Sequence, residues 1–517
     1  MPVKRYYIIA AVLFAIYFLN GIAMIPRLSV TGDEGDHLQY AMRFAKMHPE
    51  KIRPFDDAST MPISVVNTFP RAAQQLIHPN LKKTDGGVSD IVAGRYMTLL
   101  VAALIGFYIL LFTSELFGKK AALFSLFLFV FCPNINAHAV LVTTDAYSAL
   151  FTLTSAWYFR KAIMRTQMKY TLLFGFHLGM AQLAKQSLTH LYIIFFLLAI
   201  IYFIRYKKTV NTKRVAAKII SAGLVVLLVI NAGFLFKGTG TPLKHYQFRS
   251  VFFNKVQDQL SFASNIPLPF PEPYISGLDL TKNIDEIGTG HPENAGSAYI
   301  LGKRKDGTGF WYYYFVVLFF KTPIPVIILF LLFCYLLLRR RLVFNDTSFV
   351  FLFTISYFLI YFNFFYNSQV GIRHIIMIYP LLYVLLGQVY EVLLKRKWII
   401  PFLSVYSVAT YYYFYPNLIA YSNEFIVNKT KAYKIMGDSN LDFGQGYYMA
   451  KKYLLHHPDT HFADTLPATG KQLIRVSDYL DLENEHKYEW IKKFTPSGQV
   501  AHSYLLFDIK PADIEKN

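Results

Sequence analysis

Apolar runs of about 20 residues recur along this chain, and they constrain its fold more than any other feature. A segment of that length, wound as an α-helix, matches the hydrocarbon thickness of a bilayer and satisfies its own backbone hydrogen bonds there. The runs lie at roughly 6–25, 92–113, 119–133, 145–163, 170–184, 188–204, 215–236, 310–338, 348–366, 374–394 and 398–418, which predicts about eleven transmembrane helices. Composition agrees: of 517 residues 54% are hydrophobic, 17% aromatic and only 16% charged, too apolar for an ordinary soluble enzyme. The expected fold class is an α-helical polytopic membrane protein.

The formal charge of +20 would suit a nucleic-acid binder, but the basic residues sit in short clusters at the ends of apolar runs and form no patch interleaved with exposed aromatics. Membrane topology explains them. With the N-terminus in the cytoplasm, Lys119-Lys120, Arg160-Lys161, Arg165 to Lys169, Arg205 to Arg214, Arg339-Arg340-Arg341 and Lys395-Arg396-Lys397 all fall inside. The first run resembles a signal peptide in its basic start, but it is about 19 residues long and no small-x-small cleavage site follows, so an uncleaved helix is expected. Cys132 and Cys334 lie far apart in apolar runs and imply neither a disulfide framework nor a metal site.

This orientation turns two long loops outward, 26–91 and 237–309, together with everything after about 420. Loops of such length carry function or their own secondary structure. In the first, His37 to Lys46 and Arg71 to Ile77 have amphipathic helical spacing. The run at 310–338 is interrupted by Lys321-Thr322-Pro323-Ile324-Pro325, so an aromatic interfacial helix, Phe310 to Phe320, is expected before the crossing. The tail alternates differently, with helices at Ala450 to His457 and Tyr488 to Phe494 and strands at Gln472 to Ser477 and Ala501 to Ile509. This divides the chain into a membrane body, 1–420, and a small outward α/β domain, 421–517.

The chemistry gathers at the outer level. Asp33, Glu34, Asp36 and His37 open the first loop, Arg95 begins the second span, and His138 and Asp145 lie between the third and fourth. Lys185 lies between the fifth and sixth, and Arg373 and His374 begin the tenth. Sugar transfer from a lipid-linked phosphate needs a carboxylate to take the acceptor's proton and cations to stabilise the departing phosphate. Arginine offers a planar fork to two phosphate oxygens, and lysine adds a point charge. Each residue also has a plain reading. Acidic pairs are common in loops, Asp145 after Thr143-Thr144 suits a helix cap, Arg95 suits snorkelling, and Lys321 is either a buried functional cation or an interfacial one. Asp36 and His37 read as solvated residues at the start of an interfacial helix. A divalent cation held by Asp33 and Asp145 is left open, because two carboxylates fix no geometry. No metal is assigned.

Asp33-Glu34 after the first span, Gly94-Arg95 opening the second and Thr144-Asp145-Ala146 opening the fourth resemble the membrane glycosyltransferases of the GT-C fold. Those include the protein O-mannosyltransferases of glycosyltransferase family 39 and the lipid A aminoarabinose transferases. The resemblance extends to a bacterial subgroup, the phospholipid carrier-dependent glycosyltransferases, through Ala184-Lys185-Gln186-Ser187, Lys321-Thr322-Pro323, Gly371-Ile372-Arg373-His374, Tyr379-Pro380 and Tyr421-Ser422-Asn423-Glu424. The most specific match is Gly437-Asp438-Ser439-Asn440-Leu441-Asp442-Phe443-Gly444-Gln445, although Phe443 stands where the subgroup commonly has tryptophan and Gly446 where it commonly has an acid. The resemblance implies Asp33 as the base, with Glu34 or Asp145 shaping the site, and Arg95, Lys185 and Arg373 as binders of the carrier phosphate, to which Lys321 and His374 are added as candidates. It implies a polyprenyl-phosphate-linked sugar, an extracytoplasmic protein, lipid or glycan acceptor, and the bacterial inner membrane. A transporter or flippase of a lipid-linked saccharide is the competing class. Charges at the outer interface and no evident internal repeat weigh against it.

Overall fold

The computed structural model describes residues 2–78, 86–206, 211–288, 297–396, 398–483 and 485–514. Lys207, Lys208 and Lys397 of the basic clusters lie outside the described residues, as do parts of both long loops and the last residues of the tail.

Helix α1 (Val3–Met24) leads into the first long loop, which holds α2 (Glu34–Ala45) and α3 (Phe69–Ile77), the two amphipathic helices expected there. The next element, α4 (Val88–Val130), is two helices joined at Gly118, whose φ of 83° breaks the helical path. The two arms double back on each other. A Cβ on Gly106 would stand 2.7 Å from the Phe129 ring, whereas in a straight helix those positions would be about 35 Å apart. Close approach also ties α1 to α4, since the Tyr17 hydroxyl donates to the Leu99 carbonyl at 3.0 Å and Gly21 lies against the Leu99 side chain.

Short α5 (Pro133–His138) precedes α6 (Asp145–Met164), α7 (Met168–Ala184), α8 (His190–Tyr206) and α9 (Thr212–Gly233). The second long loop holds α10 (Val251–Gln259), α11 (Glu272–Ile287) and an antiparallel pair, β1 (Ala298–Ile300) and β2 (Lys303–Lys305). Then α12 (Tyr313–Lys321) and α13 (Ile324–Leu338) meet at 113° across Thr322-Pro323, which is the proline break read from the sequence. The remaining helices of the body are α14 (Asp346–Phe364), α15 (Ile378–Leu386), the single turn α16 (Tyr390–Leu393) and α17 (Ile399–Phe414).

A helix or helical arm lies on every apolar run, but the count of eleven is not what length and composition alone support. Among the described residues five helices are long and apolar enough to cross a membrane, or six if the bent pair is one span. Helix α6 falls short for a physical reason. It sits inside the bundle, with Ser148, Thr152, Thr154 and Ser155 buried against its neighbours, so lipid does not demand an apolar surface of it. By contrast α9 shows Ile219, Leu224 and Leu228, each more than 60% exposed, a stripe that is stable only against lipid.

The tail contains α18 (Tyr447–His456) and a four-stranded sheet of β3 (Thr460–Phe462), β4 (Gly470–Arg475), β5 (Gly498–Val500) and β6 (Tyr504–Ile509), in the order β3-β4-β6-β5. Strands β3 and β4 are parallel and the other pairs antiparallel. Alternation assigns the faces. Leu473 and Tyr504 pack on Ala450 and Val500 in a small core of their own, whereas Ile474, Leu505 and Phe507 join the continuous core of the helical body. The predicted helix at Tyr488 to Phe494 is a 3₁₀ turn, Glu489–Lys493. Both cysteines are free, with Cys132 buried.

Candidate active site

The segment Gly437 to Gln445 clasps the first loop through its backbone. Ser29 N–H donates to the Gln445 carbonyl and Gly32 N–H to the Phe443 carbonyl, each at 3.1 Å, and the Ser29 hydroxyl donates to the Gly444 carbonyl at 2.6 Å. Gly444 adopts φ 91°, which a side chain would strain. Asn440 secures the clasp by accepting from Ile372 N–H and donating to the Tyr313 hydroxyl, at 3.0 and 3.1 Å. The sequence's most specific motif is thus first of all a clamp that fixes where Asp33 stands.

Asp33 and Glu34 part company at the start of α2. Glu34 is fully buried and paired edge to edge with buried Arg95, whose Nε and Nη2 donate at 2.8 and 2.5 Å. Glu34 also accepts from the backbone N–H of Thr31 and Val142, both at 2.9 Å. The rest of the Arg95 guanidinium donates to the carbonyls of Ile25, Leu28 and Ser29. Neither side chain lines the cavity described next, so the structure does not bring these two predicted site residues into it. Lys321 is likewise buried and donates to the carbonyls of Ile419 and Asn440 at 2.6 and 2.7 Å. It does not line the cavity either; of the two positions expected for it, buried or interfacial, it takes the buried one, behind the clamp.

Asp33, Asp145, Lys185, Arg373 and His374 do converge, around a cavity of about 410 Å³. They arrive from the loop after α1, the start of α6, the end of α7 and the turn before α15. Arg373 pairs with Asp33 Oδ2 and lies over the Phe443 ring at 4.6 Å. Its Nε is buried without a hydrogen-bond partner. Lys185 Nζ donates to Asp145 Oδ1 at 2.6 Å, while Asp145 Oδ2 accepts from the Thr143 hydroxyl at 3.1 Å and faces His138 Nδ1 at 3.4 Å. Gln186, 5% exposed, lines the same cavity with both amide atoms unpartnered.

Burial alone would raise the Asp33 carboxyl, but the Arg373 guanidinium overrides it and holds it below the usual carboxylate range. Asp33 is therefore ionised at neutral pH. His37 corrects the expectation of a solvated residue. It is 2% exposed and lines the cavity, and burial drives its imidazole down to about 4, so it is neutral. Asp36 does point outward, to Arg53.

Charged cavity residues absent from the expected site include Asp438, Asp442, Arg475 and Glu483. Asp442 accepts from Arg475 Nε at 3.1 Å, joining the clamp to β4. Asp438 has φ 53°, and its carboxyl is pushed up to about 6, chiefly by burial and against the pull of the Ser439 N–H and Arg373. A raised carboxyl pKa makes ionisation cost the folded state more than the unfolded one, so this group's contribution to stability falls as pH rises from about 4 to 6. Asp438→Asn is expected to flatten that part of the pH dependence and to be the more stable form above pH 6, by about 1–3 kcal/mol. Thermal unfolding midpoints in detergent across that range check it; parallel curves for the two proteins would refute it.

Among the described residues the one triad spaced to hold a metal ion is Asp481, His486 and Glu489, mostly exposed and outside the cavity lining, although the neighbouring Leu482 and Glu483 belong to it. Lys492 already occupies Glu489, so no metal is assigned there.

Residues 87–236 match the family model described as dolichyl-phosphate-mannose-protein mannosyltransferase. No curated protein matches the chain by sequence. Among solved structures, ArnT from Cupriavidus metallidurans bound to undecaprenyl phosphate is similar at TM-score 0.51 and 12% identity, over 96% of this chain and 97% of that one. The apo form of ArnT gives TM-score 0.49 at 10% identity over the same shares. The Archaeoglobus fulgidus oligosaccharyltransferase gives 0.49 at 14%, over 87% of this chain and 59% of its own. The chain is a multi-pass membrane protein of the GT-C fold, similar to the enzymes of glycosyltransferase family 39.

Proposed function

We propose that the cavity transfers a sugar from a polyprenyl-phosphate carrier to a hydroxyl acceptor approached from outside the membrane. The observation that carries this reading is Asp33 itself. One carboxylate oxygen is held by Arg373, while the other accepts no hydrogen bond among the described residues and the side chain stays partly exposed to the cavity. An ionised, oriented carboxylate beside two cations suits a general base facing a phosphate leaving group.

In this reading Asp33 takes the acceptor's proton as the new bond to the anomeric carbon forms and the bond from that carbon to the carrier phosphate breaks, with inversion. Arg373 and Lys185 stabilise the charge left on the phosphate, and the Arg373 Nε and the Gln186 amide offer polar atoms that the protein itself leaves unpaired. Asp145, backed by Thr143 and His138, holds Lys185 in place. Carrier phosphate competes with Asp33 for Arg373, and a carboxylate that loses part of its cation becomes a stronger base, so donor binding primes the acceptor step. Glu34, Arg95 and Lys321 fix the architecture, and His374 walls the cavity through Tyr366.

The ArnT structure that shares the fold holds undecaprenyl phosphate, which supports the carrier class. In this reading the chain has a topology of about eleven spans, with the N-terminus cytoplasmic and the cavity facing outward from a bacterial inner membrane, so that the acceptor approaches from outside. Residues 421–517 then act as a cover closing a site in the body 1–420.

The test is direct. Full-length protein in vesicles, given a synthetic polyprenyl-phosphate hexose and a hydroxyl acceptor, should release polyprenyl phosphate and yield glycosylated acceptor. Intact donor appearing in the opposite leaflet would instead make the protein a flippase and overturn the reading.

A further inference from the structure

We infer that a second cavity, at the far end of α6 from Asp145, binds an anionic glycerophospholipid. The cavity has a volume of about 380 Å³ and is walled by the end of α6, the start of α7, the end of α8 and the start of α9. Ala162 on its wall lies 17 residues beyond Asp145 on the same helix, about 25 Å along the axis, so it is not an annex of the candidate active site.

Three features define the occupant. The first is an apolar wall, with Phe159, Ile163 and Phe174 inside and Phe203 and Ile219 exposed at 45% and 65% at the mouth, a slot fitted to an acyl chain coming from surrounding lipid. The second is a buried, unpartnered polar atom within that wall. The Thr171 residue is 1% exposed and its hydroxyl has no hydrogen-bond partner, which costs free energy in apolar surroundings unless an occupant supplies an acceptor. The ester carbonyl of a glycerolipid does so; a polyprenyl chain has none.

The third feature is charge. Lys218 Nζ reaches the rim, donating to the carbonyls of Ala162 and Arg165 at 2.5 and 2.7 Å, and its remaining N–H has no partner among the described residues. Arg165, Lys169, Lys213 and Arg214 are exposed beside it, at the adjoining ends of α6, α7 and α9. The nearby acids are already engaged, Glu115 with Lys161 and Asp346 with the Tyr202 hydroxyl. The mouth is therefore net cationic and presents its donors where a lipid phosphate would sit above the seated chain.

Full-length protein, washed free of lipid in detergent, can be titrated with dioleoyl-phosphatidylglycerol, dioleoyl-phosphatidylcholine and undecaprenyl phosphate, with bound lipid read by native mass spectrometry. Phosphatidylglycerol should bind about tenfold more tightly than phosphatidylcholine. Lys218→Gln should remove most of that preference, and Ala199→Trp, which fills the cavity, should remove the bound lipid. Thr171→Val, which keeps the shape and should fold with an equal or higher midpoint, should weaken phosphatidylglycerol about fivefold and decides the matter if the tryptophan variant does not fold. Equal binding of the two phospholipids, tighter binding of undecaprenyl phosphate, or an unaffected Thr171→Val protein would each overturn the assignment.

Discussion

Asp33→Asn lowers the rate of sugar transfer by about 10²- to 10⁴-fold, the range a positioned general base contributes. The substitution is chosen for its shape. An asparagine keeps an oxygen for Arg373 and the turn into α2, but it cannot accept the acceptor's proton. It also removes the charge that occupies Arg373, so affinity for carrier phosphate should hold or rise. The expected signature is a fall in kcat with an unchanged or lower KM for the donor, together with an unchanged unfolding midpoint. Full activity sinks the base assignment. A defect confined to KM would mean that Asp33 only positions Arg373.

That Asp33, Asp145, Lys185 and Arg373 meet was legible in the sequence, because a membrane ties sequence position to depth. Each follows or precedes an apolar run at the same end, so residues as far apart as Asp33 and Arg373, 340 positions, are held at one level before any tertiary contact is known. Depth is one coordinate only. It says nothing of direction, and that is where the reading of Glu34 as a partner of Asp33 fails. Consecutive residues entering a helix point about 100° apart, so Asp33 faces the cavity while Glu34 turns to Arg95. The same geometry held an unused signal, since His37 is four residues after Asp33 and shares its face. Asp438 had no such helical signal, only its place in the Gly437 to Gln445 motif. It enters through a clamp whose partners, the Ser29 and Gly32 backbone, leave no side-chain pattern that would give it a role.

The fold divides in the same way. Hydropathy located the helices and the proline at position 323 located the sharp bend, whereas the buried polar face of α6 lowers its hydropathy although it lies at the centre of the bundle. Strands β3 and β5, three residues each, are too short for alternation to declare them.

The Glu34–Arg95 pair separates architecture from chemistry in a second measurement. Arg95→Met leaves the Glu34 carboxylate buried at 0% exposure without its cation, and Glu34→Leu leaves Arg95 in the mirror position, so each single change should destabilise the fold by about 3–5 kcal/mol. Combining Glu34→Leu with Arg95→Met removes both charges and should recover part of that loss. Recovery stays incomplete, because the carbonyls of Ile25, Leu28 and Ser29 and the N–H groups of Thr31 and Val142 lose their partners as well. Unfolding midpoints in detergent for the two singles and the double close the cycle. If Arg95 instead bound carrier phosphate, Arg95→Met would raise the donor KM and leave the midpoint where it was. Because the guanidinium also fastens the chain between α1 and α2, the loss should spread to Asp33. Whatever fraction of Arg95→Met remains folded should transfer sugar poorly, although Arg95 itself lies outside the cavity.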